Sequence, residues 1–212
     1  GHVVRCKALA TELAARGAGV CFVTRTEAMR AFVAPFQCYN ADTDSGYLVA
    51  GDVLVFDHKT DIPEWPWRQR LRHHDGHTLV CIDHIATDHV WDLLVAPVAH
   101  WDDETVTRLR AAFGERFLYG WEYVMLAPDV TAQEPVPYTE RANGPIVFCA
   151  GGSDPTGALE QMYDWTDTLH LDAQMLFCFG AHSDGALRQR YEAAGGESLC
   201  TSGNRYIMPF HG

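Results

Sequence analysis

Apolar positions along the chain fall into two alternating rhythms. One is helical: Cys6, Leu9, Ala10 and Leu13 recur at three- and four-residue intervals, and Gly17 follows where a C-terminal cap belongs. The other is the compact apolar run. Val20-Cys21-Phe22-Val23 predicts a short buried strand, and Val53-Leu54-Val55-Phe56, Thr78-Leu79-Val80-Cys81-Ile82 and Leu93-Leu94-Val95 predict three more. The second run ends in Asp57-His58, the third in Asp83-His84 and the fourth at Pro97. Continuous apolar strands with polar residues just past their carboxyl ends indicate a parallel sheet covered on both faces. Ligands of such sheets bind outside those carboxyl ends. Segments 27–35, 63–74 and 103–113 are the expected intervening helices.

The texture changes from Ala127 to Gly144, a stretch with three prolines and no helical period, which reads as a linker. The alternation then restarts. Ile146 to Ala150 is a strand, Gly151-Gly152-Ser153-Asp154-Pro155-Thr156 a turn, and about 156–167 a helix. Gln174 to Phe179 is the next strand and 185–194 the next helix. The expected organisation is two α/β domains, 1–127 and 145–212, joined by a linker at 128–144. A Rossmann-like first domain should have a strand ahead of its first glycine turn, and none precedes Gly1. The second has room for only two or three strands, fewer than most sheets have. A fragment of a longer chain is therefore expected.

Composition narrows the classes. The 212 residues are 47% hydrophobic and carry a net charge of −12. That hydrophobic content excludes a disordered chain. No apolar run reaches the roughly 18 residues of a membrane span, and no basic-then-apolar leader opens the chain. The acidic balance argues against nucleic acid, which calls for a basic face. It leaves a single nucleotide open, because helix ends and backbone N–H groups bind phosphate without net positive charge. The seven cysteines form no CxxC pair. Cys21, Cys81, Cys149 and Cys178 sit in apolar runs as small hydrophobes, so a reducing cytoplasm is the expected compartment.

Chemistry-bearing residues collect in a few places. Gly1-His2 lies at the mouth of the first helix, where a histidine can move a proton beside an anion held on helix N–H groups. An ordinary helix start with an exposed histidine is equally open. Gly151-Gly152-Ser153-Asp154 can cradle a diphosphate at a helix N-terminus or serve as a well-capped strand–helix turn. It is not a Walker motif. Asp57-His58 and Asp83-His84 occupy strand ends, where sites are built and where polar residues also cap turns. His73-His74-Asp75-x-His77 lacks the further ligands of a metal site and reads as a solvated loop. Asp42-Thr43-Asp44 reads as turn chemistry, and Trp65-Pro66-Trp67 as packing around a helix start. No G-x-S-x-G elbow is present.

In order along the chain, these stretches resemble one family. Gly1-His2-x-x-Arg5-Cys6-x-x-Leu9-Ala10 is similar to the N-terminal Gly-His-x-x-Arg-Cys motif of the nucleotide-sugar hydrolases of pseudaminic acid biosynthesis and their spore-coat polysaccharide relatives. The strand ends at Asp57 and Asp83, the run Asp92-Leu93-Leu94-Val95, the segment Tyr119-Gly120-x-x-Tyr123-x-x-Leu126-x-Pro128, and Ile146 through Thr156 resemble its later motifs. Trp121-Glu122, Ala127 and His84 depart from its pattern.

The resemblance implies a GT-B-like α/β architecture of two Rossmann-like domains with parallel sheets facing a cleft, the second incomplete here. It implies that water attacks the anomeric carbon of a UDP-linked diacetamido-trideoxy sugar and UDP departs, with no metal and no cofactor. His2 is then the catalytic base. Gly1, Arg5, Asp57, His58 and Tyr123 line the substrate, and Gly151, Gly152, Ser153 and Asp154 hold the diphosphate. The expected partners are the UDP-sugar and other enzymes of the sugar pathway, with no nucleic acid and no membrane insertion. A glycosyltransferase on the same scaffold and a non-catalytic sugar-nucleotide binder are the alternatives.

Overall fold

The computed structural model describes residues 2–44, 49, 51–57, 76–83, 91–98, 101–141, 144–150, 154, 156–169, 175–179 and 185–193. It is a mixed α/β chain whose strand pairs are all parallel among the described residues. The chain divides into two compact units, one spanning His2–Gln133 and the other beginning at Glu134.

In the first unit, α1 (His2–Ala15) ends as its sequence requires. Gly17 adopts φ +89°, a left-handed conformation that costs glycine little. This lets Ala18 N–H reach Leu13 O at 3.0 Å and Gly17 N–H reach Ala14 O at 2.9 Å, the paired bonds of a Schellman cap. Strand β1 (Cys21–Thr24), helix α2 (Glu27–Val33) and strand β2 (Gln37–Asn40) follow. β1 pairs with β2, Cys21 opposite Gln37. The expected strand at 20–23 is thus present one residue later, but it is not buried: Cys21 is exposed and the other three residues are half-buried. β2 had no apolar signature at all.

The main sheet has the order β3 (Val53–Phe56), β4 (Thr78–Ile82), β5 (Leu93–Ala96), β6 (Phe117–Tyr119). Its central strand carries the reason for its apolar sequence: Leu79, Val80, Cys81 and Ile82 are all buried, as a strand covered on both faces must be. Leu79, Cys81, Trp91, Leu94 and Ala96 form the core with Val106 and Leu109 of α3 (Asp103–Phe113) and Phe117 of β6. Asp102 caps α3, its carboxylate accepting from Thr105 N–H at 2.8 Å. The expected helix at 63–74 lies outside the described residues.

The second unit holds β7 (Ile146–Cys149), α4 (Ala158–Leu169), β8 (Met175–Cys178) and α5 (Gly185–Ala193). β7 pairs in register with β8. Its core is Leu159 and Tyr163 of α4, Met175, Leu176, Phe177 and Phe179, and Leu187 and Tyr191 of α5. Phe148 stacks on Phe177 at 4.8 Å between ring centroids. The proline-rich stretch is not featureless. Pro128–Thr131 and Tyr138–Arg141 are single helical turns, the first opened by a proline whose fixed φ suits a first helical position.

Candidate functional site

The parallel arrangement of β3 and β4 brings the carboxyl ends of two strands beside the N-terminus of α1. Asp57 is the residue directly after β3, and Asp83 the residue directly after β4. Asp83 takes φ +59°, rare for a residue with a side chain but one that aspartate tolerates. Its N–H donates to Val95 O at 2.7 Å, which fixes the turn.

His2 opens α1 and Arg5 lies three residues on, so both project from one face of the first turn. Arg5 grips Asp57 with two parallel bonds: Nε donates to Oδ2 and Nη2 to Oδ1, each at 2.6 Å. This fork-on-carboxylate geometry is the strong, orienting form of the ion pair. Its third nitrogen, Nη1, donates to Asp83 Oδ2 at 3.0 Å. The same Asp57 Oδ1 faces His2 Nδ1 in close contact. The Asp57 side chain is 1% exposed, against 33% for His2. Arg5 Nη2 also lies 3.2 Å from His2 Nδ1. A proton on Nδ1 satisfies the carboxylate, so that approach is a contact imposed by the shared oxygen, and Nε2 is left as the lone-pair nitrogen.

Burial alone would push the Asp57 carboxyl up. Hydrogen bonds from Arg5 and His2 and their charges outweigh it and hold the group below its usual range. Hydrogen bonds to Asp57 keep Arg5 still more firmly protonated, against the effect of its own burial. Cys6 donates its thiol to Asp57 Oδ2 at 3.3 Å, and burial together with the nearby carboxylate pushes it up to about 12. It is a hydrogen-bond donor, not a nucleophile, at neutral pH. The chemistry available is that of a histidine whose orientation and tautomer are set by a buried carboxylate, which is itself neutralised by a clamped arginine.

Three of the expected site residues, His2, Arg5 and Asp57, therefore meet. Arg5 is spent on the two aspartates. Tyr123 sits in the 3-10 turn Trp121–Tyr123 after β6 and makes no hydrogen bond to the cluster. Asp154, at φ +41°, caps α4: its Oδ1 accepts from Ala158 N–H at 2.8 Å and its Oδ2 from Leu159 N–H at 3.0 Å. Gly1, His58, Gly151, Gly152 and Ser153 lie outside the described residues, as do His73, His74, Asp75, His84 and the Trp65–Trp67 stretch. Asp42 and Asp44 are turn residues, Asp44 accepting from Asn40 N–H at 2.8 Å and Asp42 pairing with Arg25.

Asp83 and Cys6 are members of the cluster that the sequence marked only as a strand end and as part of a motif. A cavity beside α1 is lined by Ala8, Leu9, Glu12, Val124 and Leu126 among others, and includes neither His2 nor Arg5. Among the described residues no three His, Cys, Asp or Glu side chains are arranged to hold a metal ion. No family model, no curated protein and no solved structure matches the chain.

Proposed function

We propose that the chain is a UDP-sugar hydrolase of GT-B type, in which His2 is the general base. The observation that carries this reading is the His2–Asp57–Arg5–Asp83 cluster at the carboxyl ends of a parallel sheet, the place where α/β folds build ligand sites. Nε2 of His2 takes a proton from water. The water oxygen bonds to the anomeric carbon as that carbon's bond to the diphosphate oxygen breaks, and the bonding pair leaves with UDP. Arginine, two carboxylates and a neutral imidazole carry one net negative charge, and the proton taken by His2 cancels it. The imidazolium is thus formed where its charge is wanted. Asp57 holds the ring and Arg5 holds Asp57, so these two are positioning residues. The order of motifs from Gly1 to Thr156 supports the choice of sugar nucleotide and of the second unit as the UDP-binding half.

The test is incubation of the protein with a panel of UDP-sugars, following free UDP. Release without any acceptor is the expected result. Release only with a sugar acceptor would make the chain a transferase, and no release with any donor would leave it a binder. His2→Ala should slow release roughly 100-fold or more, the scale of a lost general base, with UDP affinity little changed.

A further inference from the structure

We propose that Cys149 and Cys178 form a reversible dithiol–disulfide pair, a modification site separate from the His2 cluster. They are the last residues of β7 and β8 and are direct partners in the parallel register. Neighbouring strands lie about 4.8 Å apart, inside the Cα separation that a disulfide spans. Side chains of paired residues leave a sheet on the same face. Phe148 and Phe177, one residue earlier on each strand, stack into the core, so the two thiols share the opposite face. Cys149 is exposed and Cys178 half-buried. One is open to an oxidant and the other waits beside it. The nearby Cys149 also adds to the effect of burial in pushing the Cys178 thiol up.

The reaction needs a hydroperoxide. The Cys149 sulfur, having released its proton, attacks an oxygen of hydrogen peroxide, the O–O bond breaks, the departing hydroxide takes up that proton as water, and a sulfenic acid remains. Cys178 sulfur then attacks the sulfenic sulfur, the S–O bond breaks, and the hydroxide leaves as water with the thiol's proton. Each sulfur gives up one electron and each peroxide oxygen gains one. Closing the S–S bond draws the two Cβ atoms to the short separation that a disulfide needs. β7 can absorb the shift, because Ile146 and Val147 are exposed. Cys21 and Cys38 are a built-in contrast: Cys38 pairs with Phe22, not Cys21, so the two project from opposite faces of β1 and β2.

The experiment is a hydrogen peroxide titration of the full chain, read by intact mass, alkylation of free thiols and peptide mapping. The expected product is lighter by two hydrogens, joins the Cys149 and Cys178 peptides, and reverts with dithiothreitol. Cys178→Ser and Cys149→Ser should abolish it, while Cys21→Ser keeps it. Melting curves of the reduced variants check folding, and Cys149, being exposed, tolerates serine. Over-oxidation of Cys149 without a cross-link, a cross-link to Cys200 or another cysteine, or an intermolecular dimer would each overturn the proposal.

Discussion

At the scale of single residues, Asp57 decides how the site behaves. It is nearly sealed from water and kept charged by Arg5 and His2. Removing Arg5 leaves an uncompensated buried carboxylate, so Arg5→Leu should cost about 3–5 kcal/mol in urea unfolding at pH 7. The sign with pH follows from the lowered Asp57 value. Its contribution is full above the ordinary carboxyl value and fades as pH falls through the lower value of the folded state. Wild type should therefore lose stability on acidification while Arg5→Leu loses less, and the gap between them should narrow. A gap independent of pH would mean that Asp57 is not the linked group. His2, Arg5 and Asp57 of this cluster were legible in advance. Gly-His at a helix mouth and an aspartate ending an apolar run both pointed to it. The Arg5–Asp83 bond was not legible, because its partners are 78 positions apart and only the pairing of β3 with β4 sets Asp83 beside Asp57.

At the scale of elements, turns carry most of what remains to be tested. Gly120 has φ +137°, and a Cβ there would run into the Glu122 carboxylate. Gly120→Ala should cost about 1–3 kcal/mol, the scale of backbone strain, read as a lower melting temperature. Asp154→Ala should cost about 0.5–2 kcal/mol through loss of the α4 cap. If it also weakens UDP binding in calorimetric titration, beyond what its melting curve explains, then Asp154 serves the diphosphate as well as the helix. β4, β5 and β8 were readable because burial on a parallel sheet demands unbroken apolar runs, and β3 and β7 carry the same apolar run although Val53, Val55, Ile146 and Val147 are exposed. β2, Gln37-Cys38-Tyr39-Asn40, was not, since its order comes from pairing with β1 and not from its own composition. β6 is three residues long, too short for any period, and is fixed by Phe117 entering the core. The two helical turns between Pro128 and Arg141 have no signature in the sequence because one turn leaves no repeat.

At the scale of the whole molecule, two cores mean two places to make a cavity. Leu94 is 1% exposed in one and Phe177 1% exposed in the other. Leu94→Ala should cost about 2–5 kcal/mol and Phe177→Ala about 3–5 kcal/mol. Calorimetry should show each lowering a different transition, and a single transition shifted by both would refute separate cores. Among the described residues no helix is long and apolar enough to cross a membrane. The His2 cluster has one further consequence, in time rather than in space. Its bonds join positions 52, 55 and 78 residues apart, loops whose closure must await the strands between them. α1 is local and needs none of them. After dilution from denaturant, helical circular dichroism should therefore return ahead of the shifted imidazole proton resonance of His2, and that resonance becomes a clock for the moment the sheet registers.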